Sequence, residues 1–440
     1  MKKLFILIIT LLPLASCDVL NVESQSAIPE DKAIKDKKGI EKGILGAYTA
    51  FQELGYYGRS QLIFSDLAAD NLEHAPEGTA QNYAQIDNNV VLPENDAVYD
   101  IWAGAYEGIN IANTIINKIP GMSDMTDAEK TQALAELYFI RALNHFNLLN
   151  WFGAIPIKTV ATDVSTDVNV ARDPVSKVYD QIIADLTFAE TNLGTGSTKA
   201  RASKYAATAL LARVYLYKGD YANAVSKATD VIDNGDYDLL KDYATVFTDE
   251  SAESIFEIDF TELNRNRIAE YNFPKSLKGR REVGPTASVL AAYESGDDRY
   301  AKSIAFEGTA AYPIKYDDLS LGADNVIVLR LAEMYLIRAE AEAKLEGDVG
   351  AIQGDINEVR SRAKLGDISD SSYAGLLAII EHERRVEFAF EGQRWFDLVR
   401  TGRAVEVLQN LDSENQTLWP IPLSEILANK NPGMSQNPGY

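Results

Sequence analysis

Two stretches of this chain repeat one unit, and the repeat restricts the available folds more than any other feature. In the first, Tyr205 to Lys218 sets Leu211, Ala212, Tyr215 and Leu216 on one helical face; Gly219-Asp220 interrupts, and Tyr221, Ala224, Ala228 and Val231 resume the period. In the second, Leu331 to Leu345 carries Ala332, Tyr335, Leu336, Ala339 and Ala343; Gly347-Asp348 interrupts, and Ile352, Ile356 and Val359 follow. Alanine and aromatic positions at this spacing match tetratricopeptide-like helix pairs, in which small residues let two helices approach closely. Such a pair cannot bury its apolar face alone, so further units must stack on it. Thr131 to Phe152 (Leu134, Tyr138, Ala142, Phe146) and Pro174 to Leu193 (Val178, Ile182, Asp185, Leu186, Ala189) supply more helices of the same kind. The expected fold is all-α, with helix pairs forming a right-handed superhelical scaffold.

Two segments break this pattern. Tyr56 to Ala97 is rich in Asn, Gln, Gly and Pro, and Thr261 to Tyr316 mixes aromatics with basic residues. Loops on a rigid scaffold are where binding residues tend to sit, so these segments form the expected irregular, ligand-binding part. Strand-like alternation is confined to short pieces such as Ser254 to Phe260, which predicts little sheet. The scaffold divides into an N-terminal half, 39–240, and a C-terminal half, 241–440, the latter carrying binding loops at 261–316.

The first sixteen residues read as a signal peptide: Lys2 and Lys3, an apolar run from Leu4 to Leu12, then Leu14-Ala15-Ser16 before Cys17. The run is too short to span a bilayer. Leu-Ala-Ser-Cys resembles the bacterial lipobox, which makes Cys17 the expected lipidation site and 17–38 a tether. Cys17 is the single cysteine, so no intramolecular disulfide is possible and stability must come from a core. The formal charge of −23 argues against nucleic acid as a partner, because phosphate binding needs clustered Lys and Arg.

A series of further motifs follows in order. They are Ile101-Trp102 with Tyr106-Glu107-Gly108-Ile109-Asn110 and Ala112-Asn113; Arg141-Ala142-Leu143 leading to Phe152-Gly153 and Pro156; and Arg213-Val214-Tyr215-Leu216-Tyr217. Next come Leu331-Ala332-Glu333-Met334-Tyr335-Leu336 with Arg338-Ala339-Glu340-Ala341, Glu383-Arg384-Arg385 to Arg400, and Trp419-Pro420-Ile421-Pro422, before the terminal Gln436-Asn437-Pro438-Gly439-Tyr440. With the lipobox and Asp18-Val19-Leu20, this series resembles the SusD/RagB family of surface glycan-binding lipoproteins of Bacteroidetes. The resemblance implies a non-catalytic protein on the outer face of the outer membrane that captures glycan and passes it to a SusC-like TonB-dependent transporter. It also leaves open a relative that captures peptides or another nutrient.

A glycan site needs flat aromatic faces for the apolar side of a sugar ring and planar polar groups for its hydroxyls. Asp66 to Trp102 offers both, and Asp70, Asn71, His74 and Tyr83 are the candidates for direct contact, with Asn88 and Trp102 beside them. Turn-forming Asn and Asp would give a polar loop the same composition, and Trp102 also suits a helical core position. Arg265 and Tyr271 lead a second candidate group with Arg267, Phe273, Lys275, Lys278, Arg280 and Arg281. This group could read sugar hydroxyls or an anionic sugar, meet the transporter, or be a solvated loop.

No cofactor or metal is indicated. His74, His145 and His382 are scattered and lack cysteine partners. Gly194 to Lys199 lacks the phosphate-loop spacing, and Asp230, Asp233, Asp236 and Asp238 depart from the calcium-loop spacing. Glu383, Glu387 and Glu391 suit a glycosidase pair superficially. The arginines Arg384, Arg385, Arg394 and Arg400, read as one helix with Asp397, make an ion-pair network the simpler reading. A buried, arginine-paired Glu387 would rule the hydrolase out.

Overall fold

The computed structural model describes residues 33–162 and 165–440; Cys17 and the signal segment lie outside them. Four major N-terminal helices come first: α1 (Lys37–Thr49), α4 (Asp96–Lys118), α5 (Asp127–Phe152) and α6 (Val175–Asn192), with the short α2 (Ser60–Leu67) and α3 (Gln81–Asp87) between α1 and α4. The pair α7 (Lys204–Lys218) and α8 (Tyr221–Asn234) follows. After an irregular stretch come α12 (Leu331–Lys344), α13 (Val349–Arg362), α14 (Tyr373–Glu387), α15 (Arg394–Arg400), α16 (Ala404–Val407) and α17 (Leu423–Ala428). The stretch itself holds α9 (Ile268–Asn272), α10 (Ala287–Ala292) and α11 (Asp298–Ser303).

Local chemistry sets the helix ends. Thr126 and Glu129 cap α5 reciprocally, each side chain accepting from the other's backbone N–H, so two otherwise orphaned donors are satisfied. Ser203 caps α7 by accepting from the Ala206 N–H. The helix then stops at Gly219, whose φ of +79° favours glycine, and Asp220 starts α8 as its N-cap. The second turn works similarly, with Asp348 accepting from Ala351 N–H at 2.7 Å. Both units therefore fold as their sequences predict.

Packing runs in order: α4 on α5, α5 on α6, α6 on α7, α7 on α8, then α8 on α12 across the irregular stretch, and α12 on α13 and α14. Ala224 and Ala228 of α8 and Ala339 and Ala343 of α12 are fully buried at these approaches. No described helix is long and apolar enough to cross a membrane.

Sheet is scarce. Six strands of three to five residues form three antiparallel two-stranded pairs among the described residues. β2 (Ser254–Ile258) pairs with β6 (Val326–Arg330) and closes the base of the irregular stretch. β4 (Ile304–Glu307) and β5 (Ala310–Pro313) make a hairpin within it. β1 (Leu72–His74) pairs with β3 (Val283–Pro285), which joins the two segments that the sequence marks as irregular.

The first of those segments is less irregular than expected. α2 and α3 lie inside it, and every residue of α2 is buried. A helix covered on all sides carries no apolar stripe, so periodicity passes over it. The arginine-rich C-terminal helix is a second correction: it is two helices, α14 and α15, separated by Phe388 to Gln393. Phe390 (φ +68°) and Gly392 (φ +79°) turn the chain there, and a Cβ on Gly392 would press on the Leu62 backbone at 3.0 Å.

A candidate binding cavity beside an aromatic row

Beneath the irregular stretch lies a buried charge network. Arg330, at the end of β6, meets Glu253 at 2.9 Å, Glu387 at 2.6 Å and Glu391 at 2.7 Å. Arg299 meets Asp297 at 2.8 Å, Glu383 at 2.9 Å and Glu387 at 3.1 Å. Arg362 bridges Glu253 and Glu387, and Lys315 holds Glu391 at 2.7 Å. Glu387 is buried, and the Arg362, Arg330 and Arg299 charges hold its carboxyl well below the usual range against the cost of desolvation. It faces no cleft, which removes the glutamate row as a hydrolytic pair. Glu294, His382 and Glu383 converge as a metal trio would, but Arg360 already pairs with both glutamates.

The β1–β3 ladder organises the surface above. At one end Asp70 carries two guanidinium groups, Arg394 at 2.7 Å and Arg385 at 3.0 Å. Arg385 also donates to Asn71 Oδ1 at 3.1 Å and to Ser288 Oγ at 2.9 Å. Asp70, Arg385, Arg394 and Ser288 line an open cavity of about 720 Å³, whose walls also include Glu381 and Asn410. Carboxylate, guanidinium, amide and hydroxyl groups in one cavity suit paired hydroxyls of a ligand.

An aromatic row runs away from this cavity. Tyr293 follows α10, which carries Ser288, and donates its hydroxyl to the Val386 carbonyl beside Arg385 at 3.3 Å. Its ring lies 5.4 Å from Tyr300, and Tyr300 lies 6.4 Å from Phe306 on the β4–β5 hairpin. Phe306 is 47% exposed, so one face of its ring is open to solvent at the end of the row. None of these three was singled out in the sequence. They sit seven and six residues apart across a loop, a helix and a strand, so no single period links them.

At the other end of the ladder the second segment packs around aromatic rings. Tyr83 stacks on Tyr271 at 5.8 Å and 18°, and the Arg59 and Arg280 guanidinium groups each lie 4.6 Å from the Tyr271 centroid. Glu282 accepts from the Thr79 and Ala80 N–H groups at 2.7 and 3.1 Å and pins the 75–80 loop to this cluster.

The candidate residues from the sequence therefore fall in different places. Asp70 lines the cavity. Asn71 is fully buried and bonded to Asp66 at 2.7 Å, so it supports the cavity from behind and presents no surface to a ligand. Tyr83, 1% exposed, and Tyr271 are likewise interior, and burial raises the Tyr83 phenol far above its usual range. His74 is partly buried, its backbone N–H on Asp87 at 3.1 Å and its Nε2 without a hydrogen-bond partner among the described residues. Asn88 is exposed but bonded to the Ala84 carbonyl at the end of α3. Arg265 is exposed and 3.4 Å from Glu270. Trp102 is core, packed on Tyr106 and Phe152 at 4.9 and 5.0 Å, and forms one wall of a separate cavity of about 240 Å³ with Tyr99, Asn110 and Glu425.

Two family models match this chain: the SusD family over residues 313–440, and "Starch-binding associating with outer membrane", a SusD-like model, over residues 18–216. The chain belongs to the SusD-like family. It is 29% identical to SusD-like protein P2 of Formosa agariphila over the whole of both chains. It is 26% identical to the starch-binding protein SusD of Bacteroides thetaiotaomicron, covering 72% of this chain and 74% of the other. Among solved structures it is similar to a laminarin-binding SusD-like protein, with 26% identity, a TM-score of 0.82, and coverage of 92% of this chain and 100% of that one. The helix-pair scaffold with little sheet is the SusD-like fold.

Proposed function

We propose that this SusD-like protein is a non-catalytic glycan-binding lipoprotein whose ligand lies along Tyr293, Tyr300 and Phe306 and reaches the cavity at Asp70. The observation that supports this most is the exposed Phe306 face at one end of an aromatic row whose other end, Tyr293, bonds to the Val386 carbonyl next to Arg385 in the chain. A sugar ring stacks its C–H face on such a ring while its hydroxyls meet planar polar groups. The laminarin-binding and starch-binding relatives support the ligand class. In this reading lipid on Cys17 holds the protein at the outer membrane, facing out, and a SusC-like TonB-dependent transporter receives the glycan.

The test is calorimetric titration of the protein, begun after Cys17, with laminarin, starch-derived and acidic oligosaccharides and with short peptides. Binding of one sugar class without release of reducing ends is the expected result. Phe306→Ala should weaken it about tenfold, which corresponds to about 1.4 kcal/mol. Heat from peptides alone would replace the glycan reading with capture of peptides.

A further inference from the structure

We infer that the cavity between α4, the 156–162 and 168–170 segments and α17 binds one neutral, hydroxylated ring, the size of a single sugar residue. It encloses about 240 Å³, below the range of cavities that hold drug-sized ligands, and its walls include Tyr99, Trp102, Asn110, Lys158, Val168 and Glu425. It shares no lining residue with the Asp70 cavity and includes none of the Phe306 row, so the inference stands on its own groups.

Side chains of α4 fix the walls. The Tyr106 hydroxyl donates to the Pro156 carbonyl at 2.7 Å, Asn113 Nδ2 donates to the Lys158 carbonyl at 3.1 Å, and Asn110 Oδ1 accepts from the Thr162 N–H at 2.8 Å. Asn429, just after α17, donates to the Val170 carbonyl at 2.9 Å. These bonds tie three parts of the chain together around the cavity. Tyr99 lines it and is exposed, so part of its ring is open to solvent.

The polar groups of the walls decide the ligand class. Lys158 and Glu425 are both partly buried in the same cavity, yet they form no ion pair with each other, and the Lys158 ammonium has no hydrogen-bond or ion-pair partner among the described residues. Asp167 acts on Lys158 only from beyond ion-pair reach, its carboxylate accepting from the Asn169 N–H at 2.9 Å. Glu425 accepts from the Trp102 indole N–H, which leaves most of its acceptor capacity open, and the Asn110 amide hydrogens have no partner among the described residues. Desolvation accordingly holds the Lys158 ammonium below its ordinary range and lifts the Glu425 carboxyl above its own. An anion would be repelled by Glu425 and a cation by Lys158. An apolar side chain would strip water from both charges and give no hydrogen bond in return. A hydroxyl both donates and accepts, so a ring that carries several answers Lys158, Asn110 and Glu425 together, while its C–H face packs on an aromatic wall.

Saturation-transfer NMR of the full mature chain in detergent tests this, with the methyl glycosides of glucose, galactose, mannose and xylose, sodium glucuronate and N-acetylphenylalanine amide as probes. The variants are compared in the Phe306→Ala background, which weakens the aromatic row and lets this cavity dominate the signal. Transfer to at least one methyl glycoside is expected, with affinity lower by about fivefold or more in Tyr99→Ala, which alters an exposed side chain, and in Ala103→Phe, which fills the cavity from α4. Equal transfer in wild type and Phe306→Ala, lost in the two cavity variants, supports this cavity and counts against the row. Glycosides that bind the wild type but not Phe306→Ala assign the ring to the row and overturn this cavity with the glycan reading intact. Transfer to glucuronate or the amide in place of the glycosides, no transfer to any probe, or transfer that both cavity variants leave unchanged would overturn it as well.

Discussion

Arg330 and Glu387 lie 2.6 Å apart in the interior, one at the end of β6 and the other at the end of α14, and join the base of the irregular stretch to the C-terminal helices. Removing one partner leaves the other charge buried and uncompensated. Arg330→Ala should therefore destabilise the protein by about 3–5 kcal/mol, read from denaturant unfolding. Arg403→Ala, at a half-exposed ion pair near the surface, should cost about 1 kcal/mol or less in the same measurement.

Tyr83 separates packing from hydrogen bonding. Its ring is stacked on Tyr271 and edge-on to Phe64 at 5.0 Å, while its hydroxyl has no partner among the described residues. Tyr83→Ala should cost about 3–5 kcal/mol through the cavity it leaves. Tyr83→Phe should be neutral or slightly stabilising, because it removes a buried polar group that bonds to nothing. Equal losses in thermal unfolding would contradict this.

His145 makes the fold acid-sensitive. It is fully buried, and desolvation first, then the Arg141 charge, pushes its imidazole down to about 3 from the ordinary 6.5. Between pH 6.5 and 3 the unfolded chain binds the proton and the folded chain refuses it, so stability falls as pH falls through this window. Asp66, pushed up to about 6 by burial, acts in the opposite sense between pH 6 and 4, since the folded state holds its proton there. The His145 contribution is isolated by His145→Gln, whose amide can still accept the Lys158 N–H. Its unfolding free energy should fall less than wild type between pH 6.5 and 4, by about 2–3 kcal/mol.

Gly219→Ala tests the repeat turn. At φ +79° an alanine is strained although nothing crowds its Cβ, and the expected cost is about 1 kcal/mol, seen as a lower unfolding midpoint with an unchanged denaturant slope. An effect below a few tenths would show that the turn relaxes to accommodate it.

The helix pairs were legible from sequence because their physics is local. Ala224, Ala228 and Val231 recur at helical spacing, and Gly219-Asp220 and Gly347-Asp348 end and restart helices through bonds a few residues long. The scarcity of sheet followed from the same reading. What only the tertiary structure decided is which polar residues line a cavity and which are interior. Asp70, Asn71 and Tyr83 are near neighbours in a polar segment, yet one lines a cavity and two are interior. Their environment comes from Arg385, Arg394 and Tyr271, 188 to 324 residues away, counting from 83 to 271 and from 70 to 394. Likewise Glu387 looks on its helix like a member of a surface row, and becomes a buried anchor because Arg299, Arg330 and Arg362 reach it from three other elements. Periodicity reports which face of an element is apolar, whereas the exposure of a polar side chain depends on distant partners that chain order does not encode.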